Sequence, residues 1–222
     1  MYVKICGLQT AETIAAAVAA GADAIGFVFA PGSPRTVSAE LVAELGREVP
    51  AGIEIVGVFR NQPIDQVIKI AARAQVGTIQ LHGEETLQDM ARIHNAGFQS
   101  LRAFSAPLYN SLCPDEKIAW DGERLLLDAV EPGAGVTFDA AVLSAGKPHG
   151  FWLLAGGLNP HNVAAAAKAM QPSGVDVSSG VESSRGVKSV HLIRDFITAA
   201  RLEITTAAAS GMTQGLPEEY RQ

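Results

Sequence analysis

What the sequence lacks narrows its possibilities first. It has two cysteines in 222 residues, Cys6 and Cys113, far apart and in no CxxC. A disulfide framework and a thiolate zinc site are therefore not expected. It has no basic block, and its net charge is −6. Neutralising a phosphate backbone needs clustered Lys and Arg, so nucleic acid is not an expected partner. No apolar run approaches the roughly 20 residues that span a membrane. The opening MYVKICGLQT has no cationic stretch leading into an apolar one, so it does not read as a secretory signal. The five histidines form no HxH or HExxH cluster, so no metal site is expected. These absences describe a cytoplasmic, reduced protein that works neither on membranes nor on nucleic acid.

What is present is apolar and rhythmic. Hydrophobic residues make up 48% of the chain and charged residues 18%, enough to bury a sizeable core. Short apolar runs alternate with amphipathic stretches. Strands are expected at Val3–Cys6, Ala24–Phe29, Ile53–Phe59, Thr78–Leu81, Gln99–Phe104, Leu125–Asp128, Phe151–Ala155 and Val175–Ser178. Helices are expected at Thr10–Ala20, Ser38–Glu48 with a Ser38 cap, Ile64–Ala74 after Pro63, Glu85–Ala96, Phe138–Ala145, Pro160–Met170 and Val187–Ala208. Between Ser105 and Arg124, Pro107 and Pro114 interrupt any helical period, so that stretch reads as a loop or a degenerate helix.

Eight βα units without an inter-domain linker predict an α/β fold, a single-domain (β/α)8 TIM barrel with a degenerate fifth helix. The near-continuous apolar strands suit a parallel sheet covered by helices. The barrel is placed at 1–208 and a polar, flexible tail at 209–222.

In such a barrel the active site lies at the C-terminal ends of the strands. The sequence places Cys6-Gly7, Ser33-Pro34-Arg35, His82-Gly83, Asp128, Gly156-Gly157 and Asp176 with Ser178-Ser179-Gly180 there. Glycines after strands seven and eight let backbone N–H groups approach an anion, the usual phosphate site of this architecture. Asp128 and Cys6 are the candidate acid–base pair. A carboxyl in a partly dry mouth can donate a proton, and a thiol serves as a base if its pKa falls. Lys4 shares a strand face with Cys6, so its ammonium is a candidate stabiliser of the thiolate; a buried Lys4–carboxylate pair with an inert Cys6 is the plainer alternative. Arg35 offers a fork of donors to a carboxylate or phosphate, or is simply a solvated loop arginine. His82 is a lone histidine, for which a structural hydrogen bond is at least as ordinary as a binding role. Asp176 is placed to hold a sugar hydroxyl or to pair with Lys4.

Taken together, KICG (4–7), GFVF (26–29), SPR (33–35), VGVF (56–59), QLHGEE (80–85), LLLD (125–128), LAGGLNPHNV (154–163) and VDVSSGVESSRGVKS (175–189) resemble the phosphoribosylanthranilate isomerase family, in order, from about Val3 to Ala200. The resemblance implies a cofactor-independent Amadori rearrangement in tryptophan biosynthesis. Its substrate would be N-(5-phosphoribosyl)anthranilate and its product 1-(2-carboxyphenylamino)-1-deoxyribulose 5-phosphate. It assigns Cys6 as general base and Asp128 as general acid. Arg35 would hold the anthranilate end, Asp176 would help position the sugar, and Gly156, Gly157, Ser179 and Gly180 would bind phosphate; His82, inside the matching QLHGEE, is taken as a further substrate-binding residue. Both a monomer and a homodimer are compatible with the barrel. The loop after Asp128, EPGAGVTFDA, departs from the family's usual glycine–threonine run.

Two rival readings follow. One is a histidine-pathway aldose–ketose isomerase or a dual-substrate enzyme, which would favour an aspartate base where this chain has Cys6. The other is a non-catalytic phosphate-binding barrel, which needs neither an acid nor a base.

Overall fold

A computed structural model of the chain describes residues 1–129 and 146–211, with backbone alone for 203–211. Eight parallel strands close into a barrel in chain order: β1 (Tyr2–Cys6), β2 (Ala24–Val28), β3 (Glu54–Phe59), β4 (Thr78–Leu81), β5 (Gln99–Ser105), β6 (Leu125–Asp128), β7 (Trp152–Ala155) and β8 (Gly174–Val177). Pairing of β1 with both β2 and β8 closes the ring, with Lys4 beside Ala24 on one side and Asp176 on the other.

Strand alternation sorts the core into two zones. Leu101, Ala103, Leu126, Leu153 and Ala155 pack together inside the barrel. Phe104, Leu125, Leu127, Trp152 and Leu154 belong to the larger core outside it. The helices over that outer core are α1 (Ala11–Ala19), α2 (Ala39–Leu45), α3 (Ile64–Ala74), α4 (Leu87–Asn95), α5 (Ala106–Ser111), α6 (Pro114–Ala119), α7 (Val163–Met170) and α8 (Val190–Gly211). As expected, the Ser38 hydroxyl caps α2, accepting from the Leu41 N–H at 3.2 Å.

At the N-terminal end of the barrel, Glu54 gathers four donor groups. Two N–H groups of Arg124 reach it at 2.7 and 2.9 Å, and the hydroxyls of Tyr2 and Thr78 add two more hydrogen bonds. Together these donors hold the Glu54 carboxyl near a pKa of about 2, against the burial that would raise it.

Several elements begin or end a few residues from where they were expected, and the larger differences are these. The degenerate fifth helix is two six-residue helices, α5 and α6, with a proline in the first turn of each. Proline suits that position because the missing N–H would have no helical partner there. The seventh helix starts at Val163 rather than Pro160, since Asn159 and Asn162 hydrogen-bond within a turn ahead of it. The final helix starts at Val190 rather than Val187, because β9 (Glu182–Ser184) and β10 (Val187–Lys188) pair as a small antiparallel hairpin. It continues through Gly211, past the expected boundary at 208. The expected helix Phe138–Ala145, the loop 131–140 and residues 212–222 of the tail lie outside the described residues.

Candidate active site

The nine residues read as catalytic, substrate-binding or phosphate-binding all line one cavity of about 630 Å³ at the C-terminal mouth of the barrel, whereas Lys4 lies behind it. The β1 end contributes Cys6 and the β6 end Asp128; β8 contributes Asp176, and the remaining six come from the loops or the residue just past a strand.

Cys6 is buried and packs against Val28 and Val58 inside the barrel. Gly7 follows at φ +76°, and a Cβ there would stand 2.6 Å from the Arg35 Cδ. A glycine after the cysteine therefore does two things: it supplies the left-handed turn out of β1, and it leaves room for the stem of Arg35.

Lys4, fully buried, donates to Asp176 Oδ1 at 2.7 Å. Burial works against the lysine's charge, but Asp176, with help from Cys6, still raises its pKa above the ordinary value. For Cys6 the balance runs the other way. Burial pushes the thiol up; Lys4 and Lys188 pull it down, and Asp176 pushes it up again, leaving it above its ordinary value. Lys4 does favour the thiolate, as expected, but burial outweighs it and the thiol stays above its ordinary value. The alternative pairing of Lys4 with a carboxylate is what forms.

Arg35 is not a solvated loop arginine. Its Nε donates to Glu182 Oε1 at 2.6 Å and its Nη2 to Oε2 at 2.8 Å. Such a two-point pair fixes the plane of the guanidinium and leaves Nη1 uncommitted to Glu182. Glu182 also accepts from Lys188 Nζ at 2.8 Å and from the Gly186 N–H at 2.9 Å. Its pKa falls to about 2: burial would raise it, but the hydrogen bonds from Arg35 and Lys188 outweigh that. Lys188 in turn donates to the Ser178 carbonyl at 2.8 Å, tying the hairpin to the loop that carries Ser179 and Gly180. Sequence reasoning singled out neither Glu182 nor Lys188. Glu182 lies 147 positions from Arg35, and nothing local announces the pairing.

The His82 Nε2 stands 3.8 Å from Asp128 Oδ2, too far for a direct hydrogen bond. Packing around the imidazole lowers its pKa despite the neighbouring carboxylate charges, so the ring is neutral at neutral pH. Behind it, the buried Arg102 donates from Nη1 to the Leu81 carbonyl at 3.0 Å and from Nη2 to the Gly83 carbonyl at 2.7 Å, bracing the turn that holds His82. Gln80, two residues before His82 on the same face of β4, also lines the cavity. It too went unremarked in the sequence except as part of QLHGEE.

The glycine loops meet at the far side. Gly156 and Gly157 take φ +88° and +62°, conformations glycine adopts freely. Gly180 is pressed against the preceding loop: a Cβ there would lie 1.8 Å from the Leu158 carbonyl oxygen. Asn162 Nδ2 donates to the Gly157 carbonyl at 3.0 Å, pinning the first loop to the start of α7.

In chemical terms the cavity holds a thiol, a carboxyl and a guanidinium fixed in plane. It also holds two interlocked glycine loops where backbone N–H groups can meet an anion. The family model described as N-(5'-phosphoribosyl)anthranilate (PRA) isomerase matches residues 3–199. The N-(5'-phosphoribosyl)anthranilate isomerase of Geotalea uraniireducens (strain Rf4) is 40% identical over 203 residues, covering 90% of this chain and 98% of that protein. The crystal structure of TrpF from Jonesia denitrificans superposes with a TM-score of 0.82 at 43% identity, over 92% of this chain and 98% of that one. A phosphoribosyl anthranilate isomerase crystallised in complex with reduced 1-(o-carboxyphenylamino)-1-deoxyribulose 5-phosphate superposes at 0.78 with 33% identity, over 90% and 98%. By sequence and by fold, the chain belongs to the N-(5'-phosphoribosyl)anthranilate isomerase family.

Proposed function

We propose that the cavity carries out the Amadori rearrangement of N-(5-phosphoribosyl)anthranilate to 1-(2-carboxyphenylamino)-1-deoxyribulose 5-phosphate, with Cys6 as general base and Asp128 as general acid. The observation that carries this reading is that the thiol, the carboxyl and the two glycine loops line one cavity.

Asp128 gives its proton to the ribose ring oxygen as the C1–O bond breaks, and the nitrogen lone pair forms a C1=N iminium. The C2 proton is now acidic. Cys6 as thiolate takes it, the C–H pair becomes the C1=C2 bond, and the iminium π pair returns to nitrogen. The enolamine then loses its O2 proton and gains one at C1, which gives the ketone with no net change in atoms or electrons. The nitrogen of the substrate is the electron sink.

Arg35, held in plane by Glu182, meets the anthranilate carboxylate with its free donors. Gly156, Gly157, Ser179 and Gly180 hold the phosphate, a remote anchor whose binding orients the reacting carbons. Asp176 keeps Lys4 in place and faces the sugar, and His82, neutral, borders the acid. The substrate is thus a phosphorylated small molecule, and the reading places the enzyme in the cytoplasm.

The test makes the substrate in situ and follows its loss of fluorescence. Wild type is expected to consume it. Folded Cys6→Ser and Asp128→Asn are expected to lose most of kcat. A wild type that leaves the signal unchanged while converting the histidine-pathway aminoaldose would overturn the substrate assignment. Full activity in Cys6→Ser would overturn the base.

A further inference from the structure

Resting on that functional reading, we propose that Gln80 contacts the substrate directly, its side-chain amide meeting a hydroxyl of the ribose at the floor of the cavity. Gln80 sits on β4 between Val58 of β3 and Leu101 of β5. It shares the inward face of β4 with His82 and lines the cavity. It is 2% exposed, and its Oε1 has no hydrogen-bond partner among the described residues. Other buried polar groups facing this mouth are answered within the protein: Lys4 by Asp176, and Glu182 by Arg35 and Lys188.

A buried acceptor without a partner costs stability that an apolar residue of similar size would not. Among the described residues, Gln80 Oε1 is a buried side-chain atom without a hydrogen-bond partner on a residue that lines the cavity, whereas Arg102, whose Nε is likewise unpartnered, does not line it. The position of Gln80 makes a ligand donor the natural partner.

The chemistry of the substrate narrows which donor. Phosphate dianion and carboxylate carry no donor at neutral pH, so neither answers Oε1. The bridging aryl amine can donate but is a poor acceptor. A ribose hydroxyl both donates and accepts, as the carboxamide does through Oε1 and Nε2. The partner is therefore the sugar, and Gln80 positions the carbons between which the proton moves. A site built to hydrogen-bond a hydroxyl also discriminates strongly against analogues that lack it.

The experiment uses Gln80→Met, similar in length and apolar, on the full chain. Three readouts are taken: turnover of N-(5-phosphoribosyl)anthranilate made in situ, inhibition by inorganic phosphate, and the thermal midpoint. The expected result is a fall in kcat/KM of about 10- to 100-fold, with phosphate inhibition unchanged and the midpoint unchanged or raised. Loss of activity without loss of stability is the mark of a polar group kept for its ligand. A Gln80→Met enzyme within about 2-fold of wild type would overturn the proposal. So would a lowered midpoint with phosphate binding weakened in parallel, the mark of a structural residue. If wild type itself left the substrate untouched, the functional reading would fall and this inference with it; normal wild-type turnover beside an unaffected variant overturns this inference alone.

Discussion

Replacing Gly180 with alanine should damage the enzyme through geometry alone. The new Cβ would lie 1.8 Å from the Leu158 carbonyl oxygen and 2.8 Å from its carbonyl carbon, where real Cβ atoms keep at least 3.0 Å. Both contacts are to backbone, so no side chain can swing away. The loop after β8 must instead move off the loop after β7, by more than about 1 Å. A shift of about that size, remote from the chemistry, costs on the order of 10²-fold in rate. We therefore expect kcat/KM to fall about 10²-fold, or ~2.7 kcal/mol of transition-state stabilisation, with weaker inhibition by inorganic phosphate. Gly77→Ala is the matched control, because nothing lies within 4 Å of its Cβ and its φ is outside the left-handed region. It should keep full activity and gain about 0.4–1 kcal/mol from a less flexible unfolded chain. Fluorescence-based turnover and thermal unfolding of both variants make the comparison. A folded Gly180→Ala enzyme within about 3-fold of wild type, with unchanged phosphate inhibition, would refute the assignment of these loops to the phosphate.

Three further expectations concern charge. Because burial raises the Cys6 thiol, kcat/KM should still be climbing with pH above neutrality, and thiolate absorbance in a Cys113→Ser background should titrate above the ordinary thiol range; titration below neutral pH would contradict the balance of burial and charge described above. Glu182→Gln should raise KM about 10-fold and lower stability as well, because Arg35 loses a charge-assisted two-point hold and the buried Lys188 loses its carboxylate; an unchanged KM would release Arg35 from the carboxylate. With a folded pKa near 2 against an ordinary 4.5, Glu54 stabilises the fold fully above pH 4.5 and loses that contribution as pH falls toward 2; Glu54→Gln, measured by urea unfolding at neutral pH, should cost roughly 2 kcal/mol, the low side of a buried-pair loss because the carboxylate side chain is 22% exposed.

The barrel was legible because each strand is an apolar run bounded by turn residues. Thr78–Leu81, Leu125–Asp128 and Ile64–Ala74 fall where their patterns end. The fifth unit was not legible, since a six-residue helix has too few turns to show a period and a proline in the first turn looks like a break. The hairpin of β9 and β10 was absorbed into the expected final helix, because Val187 begins a run that continues helically after Ser189. The residues that line the cavity were legible one by one at strand ends, and so was the pairing of Lys4 with Asp176, but the partner of Arg35 was not. Glu182 serves Arg35 across 147 positions, and only the folded chain brings them together. Gln80 did leave a local signal: a lone amide in the buried run TIQL, two residues before His82, shares the inward face of that strand.

The same partners explain how a thiol held above its ordinary pKa can serve as a base. Three cations interact with Cys6, and each is paired with a carboxylate: Lys4 with Asp176, Arg35 and Lys188 with Glu182. Lys4 and Lys188 still pull the pKa of Cys6 down, but burial outweighs them and holds the thiol above its ordinary value. A thiolate of high pKa is the stronger base once formed. On the proposed mechanism further positive charge arrives with the substrate, as the iminium that Asp128 creates by protonating the ring oxygen. A cation forming in a buried site favours an adjacent thiolate far more than it would in water. Ring opening would then create both the acidic C2–H and the condition that lets Cys6 take its proton. The order of the two proton transfers would follow from the electrostatics of the site: acid first, base second.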